Sequence, residues 1–186
     1  MKPTAKRRFS KLLWMTILIF MGIVLTFPKW ITVFYPLPHR EIVFAMADEY
    51  HVDPYLVFAI IRAESKYQDA AKSRVGARGL MQIMPETGQW IADQMKIKDF
   101  KTDDLHDPEI NIRFGCWYLN YLQTEFKNST PLTVAAYNAG GGKVEQWLQD
   151  GQWDGDPRHM EKIPFPETQL YVKNVLHNYE AYQAIY

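Results

Sequence analysis

Apolar residues along most of this chain recur every three to four positions, which is the spacing of one face of a helix. Between residues 53 and 66, for example, Leu56, Ala59, Ile60 and Ala63 follow this period. Strict alternation of apolar and polar residues, the signature of a strand, is weak throughout the sequence. The pattern predicts an all-α domain with helices at 40–50, 54–65, 85–95, 108–126, 131–137, 142–149 and 166–185.

Three of these predicted helices begin with the same two-residue pattern, a capping side chain followed by proline. The pairs are Asp53-Pro54, Asp107-Pro108 and Thr130-Pro131. A side-chain oxygen can accept hydrogen bonds from the first free backbone N–H groups, and proline suits the first helical position. The longest segments without a helical pattern are 66–79 and 152–166, and binding residues often lie in such loops.

The first 38 residues differ in character from the rest of the chain. Five basic residues within the first eleven precede an uncharged run, Leu12 to Pro28, and apolar residues resume after Lys29. This order is typical of a segment that enters a membrane with its basic end in the cytoplasm. A cleaved signal peptide and an uncleaved signal anchor both fit the pattern. Because no Ala-x-Ala-like cleavage site follows the run, we favour the anchor, a single transmembrane helix.

The segment Pro36-Leu37-Pro38 predicts a short stiff linker. The chain is therefore expected to divide into residues 1–38, an anchor or signal segment with its linker, and residues 39–186, a globular domain. The domain of an anchored protein would lie outside the cytoplasmic membrane, and it would be secreted if the segment were cleaved.

Charge is unevenly distributed between these two parts. The 186-residue chain has a formal net charge of zero, but residues 1–38 carry six Lys or Arg and no acidic residue. This leaves 15 basic against 21 acidic residues in 39–186, a net charge of −6. An acidic domain argues against nucleic acid as a partner. The single cysteine, Cys116, excludes an internal disulfide, and the histidines show no ligand spacing, so we predict no metal and no cofactor.

Glu64 is a carboxyl group on the apolar stripe of the helix predicted at 54–65. It follows Ile60 by four residues and Leu56 by eight, so it points toward the core side. A carboxyl group removed from water keeps its proton to higher pH, which is the state that a general acid needs near neutrality. The helix position alone also fits an exposed acid in a frayed last turn, or one paired with Arg62.

Four short motifs follow one another along the globular part. They are Glu64-Ser65, the segment SRVGARGLMQIMP at 73–85, the segment AYNAG at 136–140, and the segment ETQLYV at 167–172. In this order they resemble the catalytic domain of the soluble lytic transglycosylases, which is related in fold to goose-type lysozyme. The resemblance covers about residues 42–180 and implies an all-α, lysozyme-like fold. One departure, Gly141 where the family often has proline, falls in a turn.

The resemblance implies that Glu64 is the catalytic acid and that a set of polar and aromatic side chains holds the sugar substrate. These substrate-binding residues are Ser73, Gln82, Met84, Tyr137, Asn138, Glu167 and Tyr171. Aromatic rings and hydrogen-bonding groups are the usual means of orienting a sugar. Glu167 is expected to hold the substrate or the Ser73 region, not to act as a second catalytic acid. From the residues alone, Met84 also fits core filling, and Glu167 fits a stabilising charge at a helix start.

The implied activity is non-hydrolytic cleavage of the bond between N-acetylmuramic acid and N-acetylglucosamine in peptidoglycan, leaving 1,6-anhydro ends. The partners implied are peptidoglycan glycan strands and, through the anchor, the cytoplasmic membrane. Two alternatives remain: a muramidase on the same fold, in which water is the acceptor, and a non-catalytic glycan-binding module on a membrane tether. Neither a protein partner nor an oligomeric state is indicated.

Overall fold

The structure, a computed structural model, describes residues 5–186 together with the side chains of residues 9–24 and 30–186. The basic side chains expected at the cytoplasmic end, Lys2, Lys6, Arg7 and Arg8, lie outside this described part, as does that of Lys29. The chain divides into two compact units, one that ends at Pro36 and one that starts at Leu37.

The N-terminal unit contains one long helix, α1 (Ala5–Phe34). The expected transmembrane anchor is wrong: among the residues that the structure describes, no helix has the length and apolar character needed to cross a membrane. The uncharged run between Lys11 and Lys29 is short for a membrane-spanning helix. Its 17 residues span about 25 Å along a helix axis, against roughly 30 Å for the hydrocarbon core of a bilayer.

The second unit is helical, as the period of its apolar residues predicts. Its helices are α2 (Arg40–Glu49), α3 (Pro54–Ser65), α4 (Pro85–Gln94), α5 (Pro108–Glu125), α6 (Thr130–Ala139), α7 (Gly141–Gln149) and α8 (Pro166–Ile185). Each lies within two residues of its predicted bounds. Two short 3-10 helices, Thr102–His106 and Pro157–Lys162, were not expected from the pattern.

The predicted caps are present at two of the three helix starts. The Asp53 carboxylate accepts a hydrogen bond from the Tyr55 N–H at 2.8 Å, and Asp107 accepts from two N–H groups at the start of α5. The third cap is wrong, because Thr130 is already the first residue of α6 and Ser129 precedes it without a side-chain cap. Proline is tolerated at either of the first two helical positions, so the pair Thr130-Pro131 fits both registers.

Helix α3 lies at the centre of the second unit. Four consecutive residues, Val57 to Ile60, are completely buried, which requires neighbours on every side of the helix. Helix α2 packs against both α3 and α5, and α6 packs against both α5 and α7. Removing one large side chain from such a centre, as in Phe58→Ala, typically costs about 3–5 kcal/mol.

Helix α8 closes the domain by packing along α3. At one end the Tyr179 hydroxyl donates to the Asp53 carboxylate at 2.7 Å. Beside it the ring of Tyr182 lies 5.7 Å from that of Phe58. Nearer the start of α8, Tyr171 interacts with Glu64, so the first turns of α8 lie near the C-terminal end of α3.

Candidate active site

Glu64 lies in the last turn of α3, one residue before the helix ends. Its side chain is only partly accessible to solvent. Desolvation by burial raises the pKa of Glu64 to about 7; the Tyr171 hydroxyl opposes this rise, and the Glu167 carboxylate adds to it. The rise expected from its place on the apolar stripe is therefore present. A carboxyl group with this pKa is partly protonated at neutral pH and can both give and take a proton.

The end of α3 is held by local hydrogen bonds that involve the residues around Glu64. The Ser65 hydroxyl donates to the Ile61 carbonyl and accepts from the Tyr67 N–H, each at 3.1 Å. Arg62 donates to the Tyr67 hydroxyl at 3.0 Å, while Glu64 makes no ion pair within residues 5–186. The pairing of Glu64 with Arg62, one alternative from the sequence, is therefore absent.

Two tyrosine side chains from different helices flank Glu64. The Tyr171 hydroxyl, from α8, is buried, and within the described residues no protein atom meets it in normal hydrogen-bond geometry. The Tyr137 hydroxyl, from α6, donates to the Met81 carbonyl at 2.9 Å. Burial raises the pKa of both tyrosines well above 10, with a further contribution from Glu64. Both hydroxyls therefore remain neutral donors beside the carboxyl group.

The segment between α3 and α4 is ordered by hydrogen bonds with itself. Arg78 and Ile83 exchange two backbone hydrogen bonds of 3.0 Å, and Arg78 also bridges to Lys72. Gln82 has a positive φ of 47°, and its side-chain amide donates to the carbonyls of Gly79 and Ala71 at 2.8 and 3.2 Å. The donors of the Gln82 amide thus hold the loop, which leaves its oxygen as the group that can face a ligand.

Asn111 on α5 fixes this loop to the core and was missed by the sequence analysis. It is completely buried, and its amide donates to the carbonyls of Arg78 and Leu105 at 2.9 and 2.8 Å and accepts from the Met81 N–H at 2.8 Å. At Gly79 an added Cβ would come within 2.3 Å of the Asn111 nitrogen, so only glycine fits there. The available signal was a polar residue three before Phe114 on an apolar helix face.

A cavity of about 230 Å³ lies beside this loop, between α4 and the end of α6. Among its lining residues are Gln82, Met84, Tyr137 and Asn138. A second cavity, of about 390 Å³, adjoins it through Asn138 and is lined by Glu167 and other residues of the α8 start. Glu64 lines neither cavity but interacts with one residue of each, Tyr137 and Glu167.

The start of α8 is joined to α6 across this junction. The Thr168 hydroxyl donates to the Asn138 side-chain oxygen at 2.7 Å. Glu167 is exposed one residue earlier, and within the described chain it makes no hydrogen bond to Ser73. Instead the Ser73 hydroxyl accepts from the Ala77 N–H at 3.0 Å in its own turn. The structure thus brings together all the predicted site residues except Ser73, which shapes the loop and lines neither cavity.

Within the part of the chain that the structure describes, no three His, Cys, Asp or Glu side chains are grouped so that they could hold a metal ion. The roles assigned to the individual side chains, and the absence of a metal or cofactor in the working protein, stay predictions.

Comparison with known proteins agrees with the motifs. The Transglycosylase SLT domain family matches residues 41–159, which is more than half of the chain. The chain belongs to the SLT transglycosylase domain family. The resemblance drawn from the four motifs is therefore confirmed, and the SLT domain accounts for the region that holds Glu64, the loop and the end of α6.

Individual relatives of this SLT chain are larger proteins. The soluble lytic murein transglycosylase of Salmonella typhimurium is 39% identical over 150 residues, which cover 80% of this chain and 23% of that protein. The crystal structure of the 70 kDa soluble lytic transglycosylase of Escherichia coli is 36% identical, with a TM-score of 0.78, covering 83% of this chain and 25% of that one.

A structure of an inactive glutamate-to-glutamine mutant of the lytic transglycosylase Slt from Pseudomonas aeruginosa is also similar. It is 38% identical, with a TM-score of 0.76, and covers 82% of this chain and 25% of that one. This SLT chain therefore spans about a quarter of the length of the relatives it matches.

Proposed function

We propose that residues 39–186 form the catalytic domain of a peptidoglycan lytic transglycosylase. The observation that carries this proposal is the position of Glu64, a partly buried carboxyl group with a pKa raised to about 7, beside Tyr137 and Glu167, which line two adjoining cavities. Membership of the SLT family and the names of the relatives support the same activity. The Pseudomonas relative was made inactive by replacing one glutamate with glutamine, which agrees with a mechanism built on a single acid.

In the proposed first step, protonated Glu64 donates its proton to the oxygen that links N-acetylmuramic acid to the next N-acetylglucosamine. The bond between C1 and this oxygen breaks, and the sugar with the free hydroxyl leaves. The acetamido group of the muramoyl sugar stabilises the developing oxocarbenium ion. Glu64 is left as a carboxylate, which is the second state that a pKa near 7 permits.

In the second step the Glu64 carboxylate takes the proton of the muramoyl 6-hydroxyl while its oxygen attacks C1. The ring closes to a 1,6-anhydro sugar, Glu64 regains its proton, and no water is consumed. Most glycosidases need a second carboxylate to position water or to act as nucleophile. A hydroxyl tethered to the same sugar has a high effective concentration, so one carboxyl group is sufficient.

The other predicted site residues serve this reaction by holding the sugars. Tyr171 presents a buried hydroxyl that no atom of the described residues meets in normal hydrogen-bond geometry, and a substrate oxygen or the Glu64 carboxylate can engage it. Asn138, Gln82 and Met84 provide amide groups and an apolar wall in the adjoining cavity. Because peptidoglycan lies outside the cytoplasmic membrane, we propose that the domain acts there on glycan strands.

The test is digestion of purified sacculi by the full chain, followed by mass analysis of the released muropeptides. We expect anhydro ends, one water lighter than the products of hydrolysis. The Glu64→Gln variant should lose about 10²- to 10⁴-fold in rate, the usual contribution of a general acid. Glu180→Gln, on the exposed face of α8, is the matched control and should retain the parent rate.

Products that contain the added water would show a muramidase instead. Binding of glycan strands without release of any product would show a non-catalytic module.

A further inference from the structure

Helices α4 and α5 present a group of four aromatic side chains next to the proposed active site. The Trp90 ring lies 5.3 Å from that of Trp117 and 5.1 Å from that of Tyr121, both nearly perpendicular to it. Trp117 and Tyr121 are stacked at 5.9 Å, with 6° between their planes. Edge-to-face and offset stacked contacts of this kind hold rings in fixed orientations. These four rings, Trp90, Trp117, Tyr118 and Tyr121, are called the α4–α5 aromatic cluster.

The α4–α5 aromatic cluster is partly exposed to solvent. Tyr121 is 38% exposed, and Trp90, Trp117 and Tyr118 are partly exposed. A cavity of about 380 Å³ is lined by Trp90, Tyr118 and Tyr121 on one side and by Gly141 and Gly142 on the other. An added Cβ on Gly142 would meet no atom within 4 Å, so this wall leaves open space for a ligand.

The cavity beside the aromatic cluster adjoins the cavity that is lined by Gln82 and Tyr137. Thr87 and Tyr118 line both, and the ring of Tyr118 also packs at 5.5 Å against that of Tyr137. A ligand that extends from the cavity lined by Gln82 and Asn138 toward Trp90 therefore passes Tyr118. The cavity at the α8 start in turn shares Asn138 and Ala139 with the cavity lined by Gln82, so the three cavities adjoin one another through shared lining residues.

The side chains of this distal cavity suit a sugar chain. Flat aromatic faces pack against the apolar faces of pyranose rings, and Glu86 and Thr87, at the same cavity, offer oxygens to sugar hydroxyls. Among the residues that line the cavity there is no Lys or Arg, so it offers no cation to an anionic ligand.

We propose that Trp90 and Tyr121 form a distal binding subsite for the glycan strand, which holds sugars beyond those that contact Glu64. This proposal rests on the proposed function, since the occupant is the same substrate. Sugars bound at Trp90 do not take part in the reaction. The subsite therefore strengthens binding of long strands and leaves the cleavage of short ones unchanged, so the domain selects substrates by length.

The experiment compares kcat/KM for purified peptidoglycan oligosaccharides of four and eight sugars in the full chain. We expect Trp90→Ala to lose about 10-fold on the longer substrate, the typical effect of removing one well-packed aromatic anchor, and less than about twofold on the shorter one. Trp90→Phe, which keeps a ring, should restore part of the loss. Leu148→Ala, an exposed apolar residue on α7 that lines none of the three cavities, is the matched control.

An equal loss on both substrates would show that Trp90 only supports the fold, and no loss on either would show that no sugar binds there. Both results overturn the proposal.

Calorimetric binding of the eight-sugar strand separates this proposal from the proposed function. The Glu64→Gln protein should bind the strand, and adding Trp90→Ala should weaken that binding by about 10-fold. If the parent chain cleaved neither length but this difference in binding remained, the proposed function would fail and the distal subsite would stand. If cleavage occurred and the binding difference were absent, the reverse would hold.

Discussion

Asn111 and the Glu64–Tyr171 pair are polar groups shielded from solvent, and they differ in whether their hydrogen-bonding atoms have protein partners. The Asn111 amide donates to the Arg78 and Leu105 carbonyls and its oxygen accepts from the Met81 N–H, all at 2.8–2.9 Å, so both its nitrogen and its oxygen are engaged. The Tyr171 hydroxyl has no protein partner of normal geometry in the described chain, and Glu64 carries a raised pKa beside it.

This difference distinguishes residues that stabilise the fold from residues that are available to a substrate. A buried polar group that is matched by its neighbours stabilises one arrangement of the chain, whereas an unmatched group costs free energy and persists only where something else requires it. The hydrogen bonds of Asn111 thus fix the loop between α3 and α4, whereas the groups around Glu64 are available to a substrate. Changes to the two regions should move stability and activity in different directions.

The largest effect on stability is expected from Asn111→Leu. The substitution leaves the Met81 N–H and the Leu105 carbonyl buried without their partner, while the Arg78 carbonyl keeps the hydrogen bond from the Ile83 N–H. At about 1–3 kcal/mol for each of the two unsatisfied groups, the free energy of unfolding should fall by about 2–6 kcal/mol. Denaturant unfolding at pH 7 measures this change.

The control for this variant is Asn120→Leu, on the same helix. Its side chain makes no hydrogen bond within the described residues, so we expect a change of less than about 1 kcal/mol. Equal losses in the two variants would mean that the helix, not the Asn111 hydrogen bonds, sets the cost.

Glu64→Gln should stabilise the domain at high pH while it removes activity. The unfolded side chain titrates near 4.5 and the folded one near 7, so below pH 4.5 both states hold the proton and the stability is fully present. Between these values the folded state binds more protons, and stability falls as the pH rises, by up to about 3 kcal/mol above pH 7. Glutamine avoids this loss.

Thermal unfolding of Glu64→Gln and the parent chain should therefore coincide near pH 4 and separate progressively toward pH 8, with the variant the more stable. A difference that is constant across this range would contradict the raised pKa of Glu64.

The sequence was sufficient for the features that depend on neighbours along the chain. The apolar period located all seven helices of the second unit, and Asp53 and Asp107 marked two of their starts, because capping and amphipathic packing are local. Glu64 was found for the same reason, since its place on the stripe of α3 depends only on the residues four and eight before it.

Other features depend on contacts between distant residues, and these were not visible. Asn111 meets the loop 30 or more residues away, and Trp90 meets Tyr121 across two helices. The hydrogen bond that the Ser73 hydroxyl accepts within its own turn was also not expected, and the role of Ser73 toward the substrate stays a prediction. The membrane anchor was wrong: the uncharged run on which it rested has 17 residues, which is short for a membrane-spanning helix.

Tyr171→Phe should shift the pH dependence of activity and leave stability nearly unchanged. The Tyr171 hydroxyl lowers the pKa of Glu64, so its removal should raise that pKa and move the loss of activity on the alkaline side to higher pH. Stability should change by less than about 1 kcal/mol, because within the described residues the hydroxyl makes no hydrogen bond of normal geometry that its removal would break. The pH profile of kcat/KM on sacculi measures the shift, and a shift to lower pH would reverse the role given to Tyr171.

Glu167→Gln should give the smallest effect. Glu167 is exposed, and its charge is the least of the three causes that set the pKa of Glu64. Removing a neighbouring negative charge makes ionisation of Glu64 easier, so the alkaline loss of activity should move to lower pH, opposite in sign to Tyr171→Phe. Because the interaction crosses solvent, the shift should shrink as salt is raised, whereas that of Tyr171→Phe should not.

Glu180→Gln, thirteen residues further along α8 and about 20 Å away along the helix, supplies the charge-matched control. A salt-independent shift in Glu167→Gln would mean that this residue acts through direct contact with Glu64 and not through its field.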